Sequence, residues 1–156
     1  MSDILVQFVG AGDAFGSGGR FQTCIALSVD NGRRRTLLDC GASSLIAMKR
    51  LNIDPVSVDA IILTHLHGDH FGGIPFVVLD AQFARRERPL LIVGPPGTAD
   101  RVRAAMEIFF PGSVAVQRGF ALQFLEIPER TETVVGPFTV TAYAVVHASG
   151  APSYAV

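Results

Sequence analysis

The segment Thr64-His65-Leu66-His67-Gly68-Asp69-His70-Phe71-Gly72-Gly73 constrains this chain more than any other. It holds three of the 4 histidines and directly follows Ala60-Ile61-Ile62-Leu63, a short and continuously apolar run. Such a run reads as a strand covered on both faces, and open α/β sheets place their sites in the loops beyond the carboxyl ends of strands. His65 and His67 are two residues apart, so an extended backbone turns both imidazoles to one side. Gly68 then permits a sharp turn, after which Asp69 and His70 face a second point nearby. Packing these four polar groups against a core without a partner would cost several kcal/mol. The segment is therefore read as a metal site. Imidazole and carboxylate together suit zinc, iron or manganese. The remaining histidine, His147, ends the strand-like run 140–146 and again stands at a carboxyl end. With it the set reaches five ligands, more than one tetrahedral zinc requires.

The rest of the chain surrounds that segment with alternating strands and helices. Residues 4–9 read as a strand leading into a glycine-rich loop, Gly10 to Gly19. Thr23 to Val29 and Thr36 to Leu38 read as a hairpin turning at Asp30-Asn31-Gly32, residue types that tolerate positive φ. Gly41 to Leu51 has helical spacing, with Leu45, Met48 and Leu51 on one face. Further helices are predicted over 74–86 and over 100–110, the second capped by Thr98. Leu90 to Val93 is another buried strand. From Ala121 the pattern turns β-rich: Leu122 to Ile127, Thr133 to Val135 and Phe138 to Val146. The class is α/β (or α+β) with a layered sheet. No linker or repeat divides residues 1–156, which read as one domain.

Composition excludes several function classes. Of the 156 residues 49% are hydrophobic and 17% charged, the opposite of a disordered chain. A net charge of −1 offers no bulk attraction for nucleic acid or an anionic membrane. No apolar run approaches the ~18–20 residues that span a bilayer. Met1-Ser2-Asp3 leads straight into the first strand with no basic n-region, so no signal peptide is expected and the cytoplasm is the default compartment. Cys24 and Cys40 are the only cysteines and are expected as buried, reduced thiols. Two glycine-rich motifs are declined. Gly10-Ala11-Gly12 with Gly16 has the wrong spacing for a dinucleotide fingerprint and leads into a strand. Gly94-Pro95-Pro96-Gly97-Thr98 lacks the lysine of a phosphate-binding loop. The arginines at 33–35 and at 85, 86 and 88 read as solvated tips.

The run His65-Leu66-His67-Gly68-Asp69-His70 resembles the H-x-H-x-D-H signature of the metallo-β-lactamase superfamily. Phe8 to Arg20, Leu37-Leu38-Asp39-Cys40-Gly41, Ile92 to Pro95 and His147 to Gly150 are similar to its ribonuclease Z-related and phosphodiesterase branch. The resemblance implies a four-layer αββα sandwich, of which this chain holds mainly the N-terminal αβ half. It implies two divalent metal ions, Zn2+ or else Mn2+ or Fe2+. His65, His67 and His147 would hold one, and Asp69 and His70 the other. Asp69 is the catalytic candidate, orienting the attacking water. Asp39 is open to two roles, fixing a histidine tautomer or capping a turn. The family supplies a bridging Asp and a last His from a second half, and no such segment follows His147. Pro152 to Val156 reads as the start of a further strand. The chain is therefore expected to be the first half of a longer protein.

The function this implies is hydrolysis of phosphodiester bonds, in a small molecule or a nucleic acid, by metal-activated water. A homodimer is compatible with the branch, and no membrane is involved. Two other functions remain open: cleavage of a lactam, lactone or thioester at the same site, and an incomplete or non-catalytic metal-binding module.

Overall fold

In the computed structural model, which describes residues 3–156, a six-stranded sheet carries the chain's core. Met1-Ser2, where the absence of a signal peptide was read, lies outside the described residues. Strands β1 (Leu5–Gly10), β2 (Cys24–Val29) and β3 (Arg34–Leu38) form an antiparallel meander. The β2–β3 turn needs its Asp-Asn-Gly sequence, because Asp30, Asn31 and Gly32 have φ of 52°, 55° and 82° in succession. Strands β4 (Val58–Ile62), β5 (Leu90–Gly94) and β6 (Leu122–Glu126) continue the sheet in parallel, in the order β1-β2-β3-β4-β5-β6.

Parallel neighbours require crossovers, and helices provide them. Helix α1 (Ser44–Arg50) joins β3 to β4. The single turn α2 (Gly68–Phe71) and helix α3 (Ile74–Phe83) join β4 to β5. Helix α4 (Thr98–Phe109) joins β5 to β6. The β3–β4 register shifts between Arg35–Val58 and Thr36–Ala60, skipping Asp59, and from Ala60 onward alternation divides the burial of β4 between two cores. Val58 and Ile61 face the helices with Leu37, Ile92, Ile74 and Val102. Ala60 and Ile62 face the other way, against Val135, Val140, Ala142 and Tyr154. Val135 and Val140 come from the hairpin β7 (Thr133–Val135) with β8 (Phe138–Val140), Tyr154 from the ribbon β9 (Tyr143–Val145) with β10 (Ser153–Ala155), and Ala142 from the link between β8 and β9.

Several local expectations give way to tertiary context. The run 138–146 is two strands: Ala142 bridges to Glu129 between them, so β8 pairs with β7 and β9 with β10. In α1 the buried residues are Ser44, Ala47 and Met48. Leu51 lies past the helix end and is 44% exposed, because the chain has already left helical geometry. Thr98 is the first residue of α4, not its cap; Gly97 takes the cap position with φ 89°. Arg86, expected on a solvated tip, is buried, its guanidinium donating to the carbonyls of Val56, Arg88 and Pro89. Three carbonyl acceptors make that burial tolerable.

Candidate metal centre

The sheet topology itself assembles the site. Because β3 and β4 are parallel neighbours, their carboxyl ends lie side by side and the loops after them run in contact. Asp39 N–H donates to the Ile62 carbonyl at 2.8 Å, Cys40 N–H to that of His70 at 2.6 Å, and Gly73 N–H to that of Cys40 at 2.8 Å. Leu63 N–H donates across to Val93 at 2.8 Å. The Asp39-Cys40-Gly41 segment is thus zipped along the histidine loop. Two glycines allow the approach: a Cβ on Gly41 would lie 2.2 Å from the Asp69 carbonyl oxygen, and one on Gly73 2.3 Å from that of Gly41. Gly68, expected to permit a sharp turn, is not required for it. Its φ is not positive, and a Cβ there would meet nothing within 4 Å.

His65, His67 and His147 come together with one ligand atom each, all mutually within 4.8 Å. His67 Nδ1 and His147 Nε2 stand 3.2 Å apart. Nitrogens on a tetrahedral zinc are separated by roughly 3.3 Å for Zn–N bonds of ~2.0–2.1 Å, a spacing that the His67–His147 pair already has. Asp69 and His70 form the adjoining pair, with Oδ2 and Nε2 3.3 Å apart. The rings of His65 and His70, one from each group, have centroids 3.9 Å apart. All five residues line one cavity of about 520 Å³, together with Asp39, Thr64, Ala14, Val145, Ser153 and Tyr154.

Asp39 settles between its two candidate roles by contact. Its Oδ2 accepts from His70 Nδ1 at 2.7 Å and its Oδ1 from the Thr64 N–H at 2.8 Å. A carboxylate so placed fixes the imidazole's tautomer and orientation. Burial, reinforced by the neighbouring His70 ring, lowers His65 to about 4, so His65 is neutral near pH 7, the form that binds metal. At His70 desolvation is the largest influence and opposes protonation. The hydrogen bond and charge of Asp39, with the charge of Asp69, outweigh it and raise the group.

The ribbon carrying His147 is tied on by contacts that the histidine spacing could not announce. Tyr154 N–H donates to the Thr64 carbonyl at 2.8 Å, anchoring β10 on the histidine loop. The Ser153 hydroxyl donates to the His147 carbonyl at 3.1 Å. In the sequence Tyr154 and Ser153 are only strand residues and Thr64 only a flank; the contacts give them their place at the site. A hydroxyl just beyond a largely buried apolar strand was the available signal for Thr64.

Comparison with known proteins agrees with this architecture. The family model described as Anti-Pycsar protein Apyc1 matches residues 4–156. A ribonuclease BN from Cronobacter sakazakii is 34% identical over 143 residues, covering 91% of this chain and 45% of that protein. A ribonuclease Z from Anoxybacillus flavithermus is 34% identical over 152 residues, covering 94% of this chain and 45% of that one. The chain therefore spans about half the length of the curated relatives it matches. Among solved structures, the metallo-β-lactamase fold protein YhfI of Bacillus subtilis superposes with a TM-score of 0.75 at 19% identity, over 97% of this chain and 55% of that one. The short form of human tRNase Z gives 0.73 at 22% identity, over 96% and 62%.

Proposed function

The chain belongs to the family described as Anti-Pycsar protein Apyc1, within the ribonuclease Z-related part of the metallo-β-lactamase superfamily, and we propose that it works as a metal-dependent phosphodiesterase. The observation that carries this reading is the convergence of three imidazole nitrogens within 4.8 Å, with the Asp69–His70 pair beside them in the same open cavity. The names of the ribonuclease relatives favour a phosphodiester over a lactam, lactone or thioester.

In this reading His65, His67 and His147 hold one divalent ion, and Asp69 and His70 hold a second, zinc being the metal their donors suit best. Such ions supply Lewis acidity and make a nucleophilic water available near neutral pH. Asp69, whose Oδ2 lies 3.3 Å from His70 Nε2, would be placed to orient that water. Asp39 keeps His70 turned with Nε2 toward the cavity. The remaining walls, Ala14, Val145 and Tyr154, are mainly apolar and hold the non-reacting parts of a substrate. Among the described residues no helix is long and apolar enough to cross a membrane. We place the protein in the cytoplasm, in keeping with two free, buried cysteines.

The test is metal analysis of the purified protein, followed by parallel assays on bis-p-nitrophenyl phosphate, nitrocefin and an acyl thioester. Bound zinc, manganese or iron, with turnover of the phosphodiester alone and its loss in His67→Ala, is the expected result. A metal-free, folded protein, or turnover unchanged by His67→Ala, would overturn the reading.

A further inference from the structure

One hydroxyl in the cavity stands between a buried carboxylate and a ligand imidazole. Thr64 Oγ1 lies 2.9 Å from Oδ2 and 3.1 Å from Oδ1 of Asp39, and 3.0 Å from His65 Nδ1. Asp39 is only 3% exposed, and its carboxylate has lone pairs alone to offer. A hydroxyl owns one proton. With that proton directed at Asp39, Thr64 Oγ1 presents only lone pairs to His65. The contact at 3.0 Å is then a hydrogen bond only if His65 Nδ1 carries the hydrogen. Nε2 is left as the ring nitrogen free to bind. His70 is held in the same tautomer directly, with Nδ1 donating to Asp39 Oδ2 at 2.7 Å.

We propose that Thr64 is a positioning residue that relays Asp39 to His65, so that one carboxylate sets the tautomer of one histidine in each ligand group. The two arms differ in length: Asp39 touches His70, but reaches His65 only through the threonine hydroxyl. Asp39 and Thr64 are 25 residues apart, and Asp39 and His70 are 31 apart, so the relay exists only in the folded chain. It also gives Thr64 a role distinct from strand packing. Its backbone N–H and carbonyl are already engaged, by Asp39 Oδ1 and by Tyr154 N–H, whatever the side chain does.

The proposal rests on the metal-site reading for its purpose, but the tautomers belong to the metal-free protein and are measurable there. The experiment is long-range 1H–15N correlation of the imidazoles in the metal-free protein, for wild type, Thr64→Val and Thr64→Ser. Valine keeps the branched shape and removes the hydroxyl; serine keeps the hydroxyl. In wild type both His65 and His70 are expected as Nδ1–H tautomers. In Thr64→Val, His65 is expected to move toward the Nε2–H form while His70 stays unchanged, and Thr64→Ser is expected to restore His65. Zinc titration should then show a fall of about 10–100-fold at the His65 group alone, the usual effect of removing an orienting partner. An unchanged His65 tautomer in Thr64→Val overturns the relay, as does a failure of Thr64→Ser to restore it. Should Thr64→Val not fold, Thr64→Ala carries the same expectation and the same refutation. If the tautomers behave as stated but wild type takes up no metal, the relay stands and the metal-site reading falls.

Discussion

The two sources of candidate ligands in the cavity are built to different standards. His65 sits on the loop leaving β4, a strand buried at four of its five residues, and His70 on the turn α2 that follows; both are tied to Asp39, His70 directly and His65 through Thr64. His147 arrives from the ribbon β9–β10, two strands of three residues each; β9 is exposed throughout, and His147 itself is exposed. Among the described residues its imidazole has one hydrogen-bonding neighbour, His67. Orientation at the first source is prepared by the core before any ion arrives. At the second it depends on a thin ribbon held to the loop by Tyr154 N–H. Rigid strand ends are the better platform for a preorganised ligand.

The strongest way to break that contrast is to remove its anchor. Asp39→Ala leaves the Thr64 N–H and hydroxyl without their acceptor and puts alanine at φ 59°, a conformation that Asn or Asp tolerates better. A loss of ~2–4 kcal/mol in urea unfolding is expected, with zinc affinity lowered about 10–100-fold. Asp39→Asn keeps the backbone conformation and should lose less stability for a comparable loss of affinity.

Glycine substitutions sharpen the same comparison. Gly41→Ala drives a Cβ into the Asp69 carbonyl and should cost ~1–3 kcal/mol by forcing the two loops apart. Gly68→Ala, in open space, should stay within ~0.5 kcal/mol of wild type. Equal effects from the two would refute the zipped-loop account.

The ligands themselves should separate next. In the metal-free protein, His65→Ala is expected to lose ~1–3 kcal/mol because His65 is buried, and His147→Ala to stay within ~0.5 kcal/mol because it is exposed. Both should lower zinc uptake, so stability and binding part company only at His147. Thermal unfolding with and without zinc reads this directly.

The smallest effect concerns the core beneath the loops. Burial pushes the Cys24 thiol up to about 12, and Cys40, buried beside it, is also raised well above the ordinary value. Because the folded values are the higher ones, their contribution to stability is complete below pH 9. It is then lost as pH rises from there toward the folded values. At pH 8 both thiols should react with a disulfide reagent only as fast as the protein unfolds. Rapid reaction under native conditions would show that this core opens locally.

Much of the candidate site was legible before any fold was known. The five ligand candidates needed only residue type, spacing and the apolar run before them, since imidazole and carboxylate behind a doubly covered strand have few other uses. The strands 133–135 and 90–93 were legible because turn residues bound them, the second running one residue further in the structure. What local pattern misplaced were features set by distant contacts: the break at Ala142 made by Glu129, the burial of Arg86 under the carbonyls of Val56, Arg88 and Pro89, and the exposure of Leu51. Gly68 invited a turn argument although the tight packing falls on Gly41 and Gly73.

By itself, then, the sequence determined which side chains are candidates for metal chemistry, because ligand types and a period-two spacing are local properties of a strand and the loop after it. Only the tertiary structure decided how that chemistry is held. Asp39 reaches Thr64 and His70 across 25 and 31 residues, and His147 reaches His67 across 80. The physical reason is the parallel pairing of β3 with β4: it brings two strand ends together that share no local signal, and lets one buried carboxylate contact both Thr64 and His70.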